Sequence, residues 1–210
     1  MMRSREFLIE RVLNLWTPEE KQPYADQVWD MLQRSYSNVE GGFRSATSPE
    51  DLIMQPGYWK LIKRGDKITA VNIYKKSPNT NNYKINASAS ETEQKPATGK
   101  YGSTEQGKKD YTHMRDADVK TGRAWAEVSG GPEKLMARAG ARPIPSKFAA
   151  ALTGKEILEY NPDGLHYTRL IQGEPHEKVM YGVAKLSPEG RMELEKHGID
   201  LKELPLNVQA

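Results

Sequence analysis

Hydrophobic and polar positions alternate most clearly between residues 59 and 74. Residues 59–64 and 68–73 both carry Ile, Val, Leu or aromatic side chains at a period of two, which is typical of strands. Gly65 and Asp66 separate the two runs, and Gly65 can adopt the positive φ of a tight turn without steric cost. The pattern therefore predicts a β-hairpin, followed by a third strand at residues 83–90, so that the middle of the chain is an antiparallel meander.

Helices are predicted before this meander. Thr17 and Pro18 suit the cap and first position of a helix, Glu20 completes a capping box, and Val28 lies on the apolar stripe that follows. Gly41-Gly42 ends that helix, and Ser48-Pro49 begins a short second one through Met54. Residues 7–16 place apolar side chains at helical spacing, which favours a helix packed on the domain over a docking or targeting helix.

The next stretch, residues 91–109, is rich in Gly, Thr, Lys, Glu and Gln and has no hydrophobic periodicity. This composition predicts a long mobile loop. A weak helix is expected at residues 108–120. The remaining elements expected from the pattern are strands at 123–129 and 166–171, and a helix at 132–139 stopped by Gly140. Residues 148–157 are ambiguous between a short helix and a connection to a strand near 157–160, and 179–183 are one more strand or an edge. Ser187-Pro188 begins a last helix.

Composition narrows the classes of function. The chain has 210 residues, no cysteine and a formal net charge of +3. Disulfides, thiolate catalysis and cysteine-bound metals are excluded, and so small a net charge argues against a nucleic-acid partner. The four histidines lack the spacing of metal ligands, so we expect no metal site.

No apolar run reaches the length of a membrane span. The apolar stretch near the N-terminus is interrupted by Glu6, Glu10 and Arg11. A signal peptide is therefore not expected, and the sequence favours a cytoplasmic protein without a membrane partner.

Three carboxylates are candidates for a general base. Glu91 and Glu93 follow the third strand, and Glu127 lies on the strand at 123–129. A carboxylate at a strand end can accept a proton from a substrate. For any one of them, a solvated charge on a loop or edge is the simpler interpretation.

A Gly-bearing turn leads into the helix expected at residues 108–120. Backbone N–H groups at a helix start suit a phosphate, and lysines there add positive charge. We therefore take the turn as a candidate phosphate site. Its residues are Gly102, Thr104, Gln106, Gly107, Lys108 and Lys109.

The order of these elements resembles the GCN5-related N-acetyltransferase (GNAT) family over roughly residues 17–171. Residues 124–145 resemble the family's fifth strand, the helix after it and its glycine stop. The resemblance implies an α+β fold with a mixed, largely antiparallel sheet flanked by helices. It also implies acetyl-coenzyme A as cofactor, with its pyrophosphate on the Gly102–Lys109 turn, and an amine, of a small molecule or a protein, as acceptor. The pattern is further similar to acetyltransferase-like proteins of tailed bacteriophages, which would place the protein in the host cytoplasm or in a virion.

The sequence departs from the family at three places. Of the family's turn positions, here Thr104, Gly107 and Lys109, only Gly107 matches, and Met136 stands where the family often has a proton-donating tyrosine. The N-terminal segment also has a helical pattern where the family begins with a strand. Two hypotheses therefore stay open: an active N-acetyltransferase, or a degenerate module with a binding or structural role, such as a bacteriophage particle component contacting other structural proteins.

The expected domain organisation has three parts. Residues 1–16 form an N-terminal helix or arm, and residues 17–185 form a single GNAT-like domain. Residues 186–210 form a C-terminal helix and tail.

The alternation on both arms of the hairpin predicts that it lies at the centre of the sheet. Backbone amides of residues 68–73 should therefore be among the slowest to exchange with deuterium, because exchange there requires the core to open. Hydrogen exchange followed by NMR or mass spectrometry measures this. Exchange at residues 68–73 as fast as in surface turns would contradict the fold.

Overall fold

The structure is a computed structural model, which describes residues 10–38, 43–138 and 140–210. The fold is α+β, with a mixed, largely antiparallel sheet and flanking helices, as the sequence predicts. The chain divides into two compact units, the first formed by the described residues of Met1–Tyr74 and Ala87–Met114, the second by Lys75–Asn86 and Arg115–Ala210. Whether residues 17–185 behave as one domain stays a prediction.

The first unit contains most elements of the N-terminal half. In chain order they are β1 (Glu10–Leu15), α1 (Pro18–Lys21), a 3-10 turn (Gln22–Tyr24), α2 (Ala25–Tyr36), α3 (Pro49–Met54), β2 (Tyr58–Arg64), β3 (Lys67–Lys76), β4 (Tyr83–Ser90), β5 (Thr92–Gln94), β6 (Tyr101–Ser103) and α4 (Glu105–Lys120). The ends of β3 and α4 and the first half of β4 belong to the second unit.

The second unit continues from there. Its further elements are β7 (Ala124–Val128), α5 (Gly131–Arg138), β8 (Pro143–Ile144), a 3-10 turn (Ser146–Phe148), α6 (Ala149–Thr153), β9 (Glu159–Tyr160), β10 (His166–Ile171), β11 (Glu174–Gly182), β12 (Ala184–Lys185), α7 (Pro188–Lys196), a 3-10 turn (Leu201–Glu203) and β13 (Val208–Gln209).

The predicted hairpin is confirmed as β2 and β3, which pair antiparallel around Gly65 at φ 58°. Every residue of β3 from Ile68 to Tyr74 is buried, so this strand is covered on both faces. On one face, Val71 and Ile73 pack with Val28 and other side chains of α2 and α3. On the other, Ala70 packs with Met114 of α4. The alternation of hydrophobic and polar residues predicted the two strands. The burial of β3 on both faces could not be predicted in this way, because it depends on helices distant in sequence.

The helix expected at residues 7–16 is wrong for residues 10–15, which form strand β1; residues 7–9 lie outside the described part of the chain. β1 pairs antiparallel with β2, with Leu13 opposite Leu61 and Leu15 opposite Trp59. Apolar residues here are nearly consecutive, so they fit either periodicity, and pairing with β2 decides the outcome. Val12 is 48% exposed and Leu15 only 7%, as a strand covered on one face requires.

The caps expected for the first two helical segments are confirmed. Thr17 caps α1 in a full capping box with Glu20, and the Ser48 side chain accepts from the Asp51 amide at the start of α3. The expected end of α2 at Gly41-Gly42 lies outside the described residues.

The mobility expected for residues 91–109 stays a prediction, but the absence of regular structure expected for this stretch is wrong. The stretch contains the short hairpin β5–β6, with Glu93 opposite Gly102, and the first turn of α4, which begins at Glu105 rather than at residue 108. Strands of three residues are too short to show a period-two pattern in the sequence.

Within the second unit, the strand order is β4-β7-β11-β10-β9. The first half of β4 runs parallel to β7, with Tyr83 opposite Ala124 and Ile85 opposite Ala126. The pairs β7–β11 and β10–β11 are antiparallel. A parallel pair requires a crossover, and α4 is the helix between these two strands in the chain. The core of the unit gathers Trp125, Phe148 and other side chains from α6, β10, β11 and α7.

Lys21 is 1% exposed, which is unusual for a lysine. Its Nζ donates to the carbonyl oxygens of Gly57 at 2.9 Å, Gln55 at 3.3 Å and Ile53 at 3.5 Å, and lies 5.7 Å from the centre of the Trp59 ring. Burial lowers the pKa of this ammonium group. The side chain therefore ties α1 to the segment that joins α3 to β2.

Replacing Lys21 with methionine keeps the apolar stem and removes the three donors. We expect Lys21→Met to lower the free energy of unfolding by about 1–3 kcal/mol, because buried carbonyl groups lose their partner. Chemical denaturation measures the change, and Lys95→Met, at an exposed lysine of the same unit, is the control. Equal stability of the two variants would mean that the carbonyl contacts contribute nothing.

Candidate functional site

The start of α4 is the candidate phosphate site. The Thr104 side-chain Oγ1 accepts from the Gly107 amide at 3.0 Å, and the Thr104 carbonyl accepts from the Lys108 amide at 2.9 Å. Thr104 thus acts as the helix cap, the role for which threonine is suited. Two of the amides that were expected to face a phosphate are therefore already engaged within the helix turn.

Glu91 joins this helix start to the end of β4. Its amide donates to the Thr69 carbonyl at 2.8 Å, and its carbonyl accepts from the Thr104 amide at 2.9 Å. The Glu91 carboxylate accepts from Thr104 Oγ1 at 3.2 Å and forms an ion pair with Lys67. The structure therefore brings Glu91 together with the candidate phosphate turn, but with a cation already paired to its carboxylate.

Gly107 is buried against Glu91. A Cβ built on Gly107 would lie 2.8 Å from the Glu91 carbonyl oxygen and 3.0 Å from the Glu91 nitrogen. Gly107 was expected in the turn before a helix that begins at residue 108. The structure corrects this, because the glycine lies in the first turn of α4 and allows that helix to approach the backbone at the end of β4.

Asp110 holds α4 on the hairpin and was missed in the sequence. Its carboxylate accepts from Arg64 Nη2 at 2.7 Å, Thr69 Oγ1 at 2.5 Å and Gln106 Nε2 at 2.8 Å. Burial acts to raise the pKa of this carboxyl, but the bonds from Arg64, Thr69 and Gln106 outweigh it and hold the pKa below the usual value. Gln106, a candidate cofactor residue, therefore has a structural partner. The signal in the sequence was an acid one helical turn after Gln106.

The other candidates of the turn are more exposed. Glu93 and Lys109 are exposed, and Gly102 lies beside the flexible Lys95 side chain. Lys108 is exposed and forms an ion pair with Glu105 at 2.9 Å. Positive charge at the start of α4 is thus partly compensated.

A groove of about 190 Å³ lies next to Glu91 in the first unit. Asp30 and Arg34 of α2 line one side, and Lys67 and Glu91 line the other. The charges are arranged as pairs, Arg34 with Asp30 at 2.8 Å and Lys67 with Glu91. The groove is therefore polar but close to neutral.

Glu127 belongs to the second unit and is 3% exposed at its side chain. Arg169 donates to it through Nε at 2.5 Å and Nη2 at 2.7 Å, Lys84 Nζ at 2.6 Å and the Tyr167 hydroxyl at 2.9 Å. Burial acts to raise the pKa of Glu127, but Arg169 and Lys84 outweigh it and hold the pKa far below the usual value. A carboxylate with so low a pKa accepts a proton poorly near neutral pH.

Met136 lies on α5 and is 2% exposed. A buried thioether at this position can neither donate a proton nor bind a polar group strongly. Met136, which stands where the family often has a tyrosine, is therefore buried and cannot donate a proton.

The described part of the chain has neither a metal-ligand cluster nor a membrane-spanning helix. Residues 10–38, 43–138 and 140–210 contain no group of three or more His, Asp or Glu side chains placed to hold a metal ion. None of the helices in these ranges has the length and hydrophobicity that a bilayer span requires.

Comparisons with known proteins find likeness in structure alone. No protein-family profile matches the chain, and no curated protein matches it. A GNAT-family acetyltransferase from Bacillus cereus ATCC 10987 is 11% identical with a TM-score of 0.42, covering 85% of this chain and 99% of its own. A protein from Desulfovibrio desulfuricans assigned to the GNAT family of acetyltransferases is 16% identical with a TM-score of 0.44, covering 84% of this chain and 99% of its own.

The chain is thus similar in structure to GNAT acetyltransferases at low identity. Such values leave the activity to be argued from this chain's own residues. Neither similarity supports the expected relation to bacteriophage proteins or a place in a virion.

The contact between Gly107 and Glu91 predicts that Gly107→Ala lowers the free energy of unfolding by about 1–3 kcal/mol, less the gain in helix propensity, because the new Cβ meets backbone atoms. Gly107→Val should cost more and cannot serve as a pure binding variant. Gly102→Ala is the matched control, since its Cβ would meet only the mobile end of Lys95. Denaturant unfolding compares the three, and Gly107→Ala as stable as Gly102→Ala would show that the contact is looser than described.

Proposed function

We propose that the chain is an N-acetyltransferase-like protein that binds acetyl-coenzyme A and transfers its acetyl group to an amine. The observation that carries the proposal is the parallel pair β4–β7 with α4 as its crossover, in a sheet whose pairs β1–β2, β2–β3 and β7–β11 are antiparallel. In sheets with such a crossover, ligands bind at the carboxyl end of the strand and the start of the helix that follows. The strand at residues 10–15 supports the same family architecture, because the family also begins with a strand.

The residues at the start of α4 fit one phosphate group. The amides of Glu105 and Gln106 occupy the first two positions of the helix and have no acceptor within it. The helix dipole and the ammonium groups of Lys108 and Lys109 favour an anion at this point. Gly102 and Thr104 would shape the approach, while Gly107 contributes by close packing of the helix start.

In this proposal the amine attacks the thioester carbonyl directly, and the thiol leaves as the acetyl group is transferred. The amine must lose a proton, and Glu91 and Glu93 are the proposed acceptors, directly or through water. Glu127 stays a candidate only by position, since Arg169 and Lys84 already neutralise it.

A second candidate function is a degenerate module that lacks transferase activity. The specific observation in its favour is the state of the proposed catalytic groups. Glu91 is paired with Lys67, Glu127 is paired with Arg169 and Lys84, and Met136 is buried and apolar. The two candidates differ in whether an acetyl group leaves the coenzyme in the presence of an amine.

The test is a calorimetric titration with acetyl-coenzyme A, together with release of the coenzyme thiol in the presence of a panel of amines. We expect binding in wild type and weaker binding in Lys108→Gln, more so at low salt, because an exposed charge contact is screened. Lys120→Gln, at the other end of the same helix, is the control and should bind as wild type does.

Each result decides between the candidates. Binding with thiol release supports the transferase, and binding without thiol release supports the degenerate module. If wild type gives no heat at high coenzyme concentration, the proposal is wrong. If Lys108→Gln and Lys120→Gln bind equally, the placement on α4 is wrong.

A further inference from the structure

One face of the sheet in the second unit gathers five polar side chains that the sequence does not place together. Lys84 is opposite Trp125 in the β4–β7 register, and Glu127 lies two residues further on the same face. Glu127 pairs with Met180 of β11, and Lys178 lies two residues before Met180, so it is on the same face. Tyr167 of β10 is opposite Lys178. Arg169 follows two residues after Tyr167. We call Lys84, Glu127, Tyr167, Arg169 and Lys178 the cationic cluster.

The charges of the cationic cluster do not balance. Three cations, Lys84, Arg169 and Lys178, surround the single carboxylate of Glu127. Tyr167 adds no charge, because burial raises the pKa of its hydroxyl and keeps it protonated. Two positive charges are therefore uncompensated within the cluster.

Four members of the cationic cluster are also largely withdrawn from water, while Lys178 is half-buried. The side chains of Lys84 and Arg169 are 23% and 15% exposed, and that of Glu127 is 3% exposed. Uncompensated charge in such surroundings is costly, because the lost hydration is not replaced. Burial lowers the pKa of Lys178. The nearby charges of Lys84 and Arg169 lower it further, whereas the charge of Glu127 raises it.

Donors for a ligand remain on the two lysines. The guanidinium of Arg169 is committed to Glu127 through two nitrogens. Lys84 Nζ donates to Glu127, and Lys178 Nζ donates to Ser129 Oγ at 3.2 Å. Each ammonium group carries three N–H donors, so both have more donors than these contacts use.

We propose that the cationic cluster is a binding site for a small oxyanion, a phosphate or carboxylate group, held between the ammonium groups of Lys84 and Lys178. Such an anion would supply the missing negative charge and accept charge-assisted hydrogen bonds from both lysines. Glu127 and Arg169 act as positioning residues that hold Lys84 in place. The site is separate from the helix start proposed for the coenzyme and does not depend on that function.

The test titrates the full chain with inorganic phosphate and, in a parallel series, with acetate, at constant ionic strength, by NMR or calorimetry. We expect saturable binding in wild type and a dissociation constant about tenfold higher in Lys178→Gln, since a charged donor is removed. Lys178→Arg should bind within a few-fold of wild type, because the charge is kept. Binding of phosphate, acetate or both supports the site and identifies the group.

Two controls separate this site from general charge effects. Lys155→Gln removes one positive charge from an exposed position of the second unit and should leave binding unchanged. Lys108→Gln reports on the start of α4, and an effect of that variant alone would place the anion there and overturn the proposal. Thermal melting checks folding, and Lys84→Gln is the second variant if Lys178→Gln is unstable. Absence of saturable binding in wild type, or equal weakening by Lys155→Gln, would also overturn it.

Discussion

The contact of Asp110 with Arg64 and Thr69 is the interaction on which the candidate coenzyme site depends. It attaches α4 to the central hairpin through a buried carboxylate, so the position of the helix start is set by the strands. Once α4 is held there, Thr104 meets Glu91, and Gly107 must lack a side chain. The two exposed amides at the start of the helix are then fixed in direction. Preorganised donors of this kind bind an anion without first paying the entropy of ordering a loop.

The carboxylates of this protein serve mainly to hold cations in place. Asp110 binds Arg64, Glu91 binds Lys67, and Glu127 binds Arg169 and Lys84. For Asp110 and Glu127, the pairing holds the pKa below its usual value, which stabilises structure but weakens the acid as a proton acceptor. In the proposed transferase, either Glu91 or the exposed Glu93 accepts the proton, or the substrate amine arrives unprotonated. Asp110 and Glu91 each pair with one cation, whereas Glu127 has more cations around it than its single charge can balance.

The sequence predicted those parts of the fold that rest on local signals. The hairpin at Gly65, the strand at residues 83–90 and the caps at Thr17 and Ser48 follow from periodicity and capping chemistry, which act over a few residues. Strand β1 was not predicted, because nearly consecutive apolar residues fit both periods until β2 provides a partner. The β5–β6 hairpin was not predicted either, since three residues per strand are too few to show a periodic pattern.

The candidate site was predicted only in part for the same reason. Glu91, Thr104 and Gly107 were identified by residue type and do lie together, whereas their mutual hydrogen bonds depend on tertiary contacts. Asp110 gave only the weak signal of an acid one helical turn after Gln106, and Lys178 gave none, because their main partners lie on strands distant in the chain. Glu127 was noticed as an isolated acid, and its three donors come from β4 and β10.

The division of β4 between the two units has a consequence for synthesis on the ribosome. The first half of β4 pairs with β7, which leaves the ribosome only after the whole of α4 has been made. Until then, one edge of a nascent β4 stays without its parallel partner, and exposed strand edges invite pairing with other chains. Lys84 and Asn86 reduce the hydrophobicity of this half of β4 during the delay. The composition of this strand thus suits a segment that must wait for its neighbour.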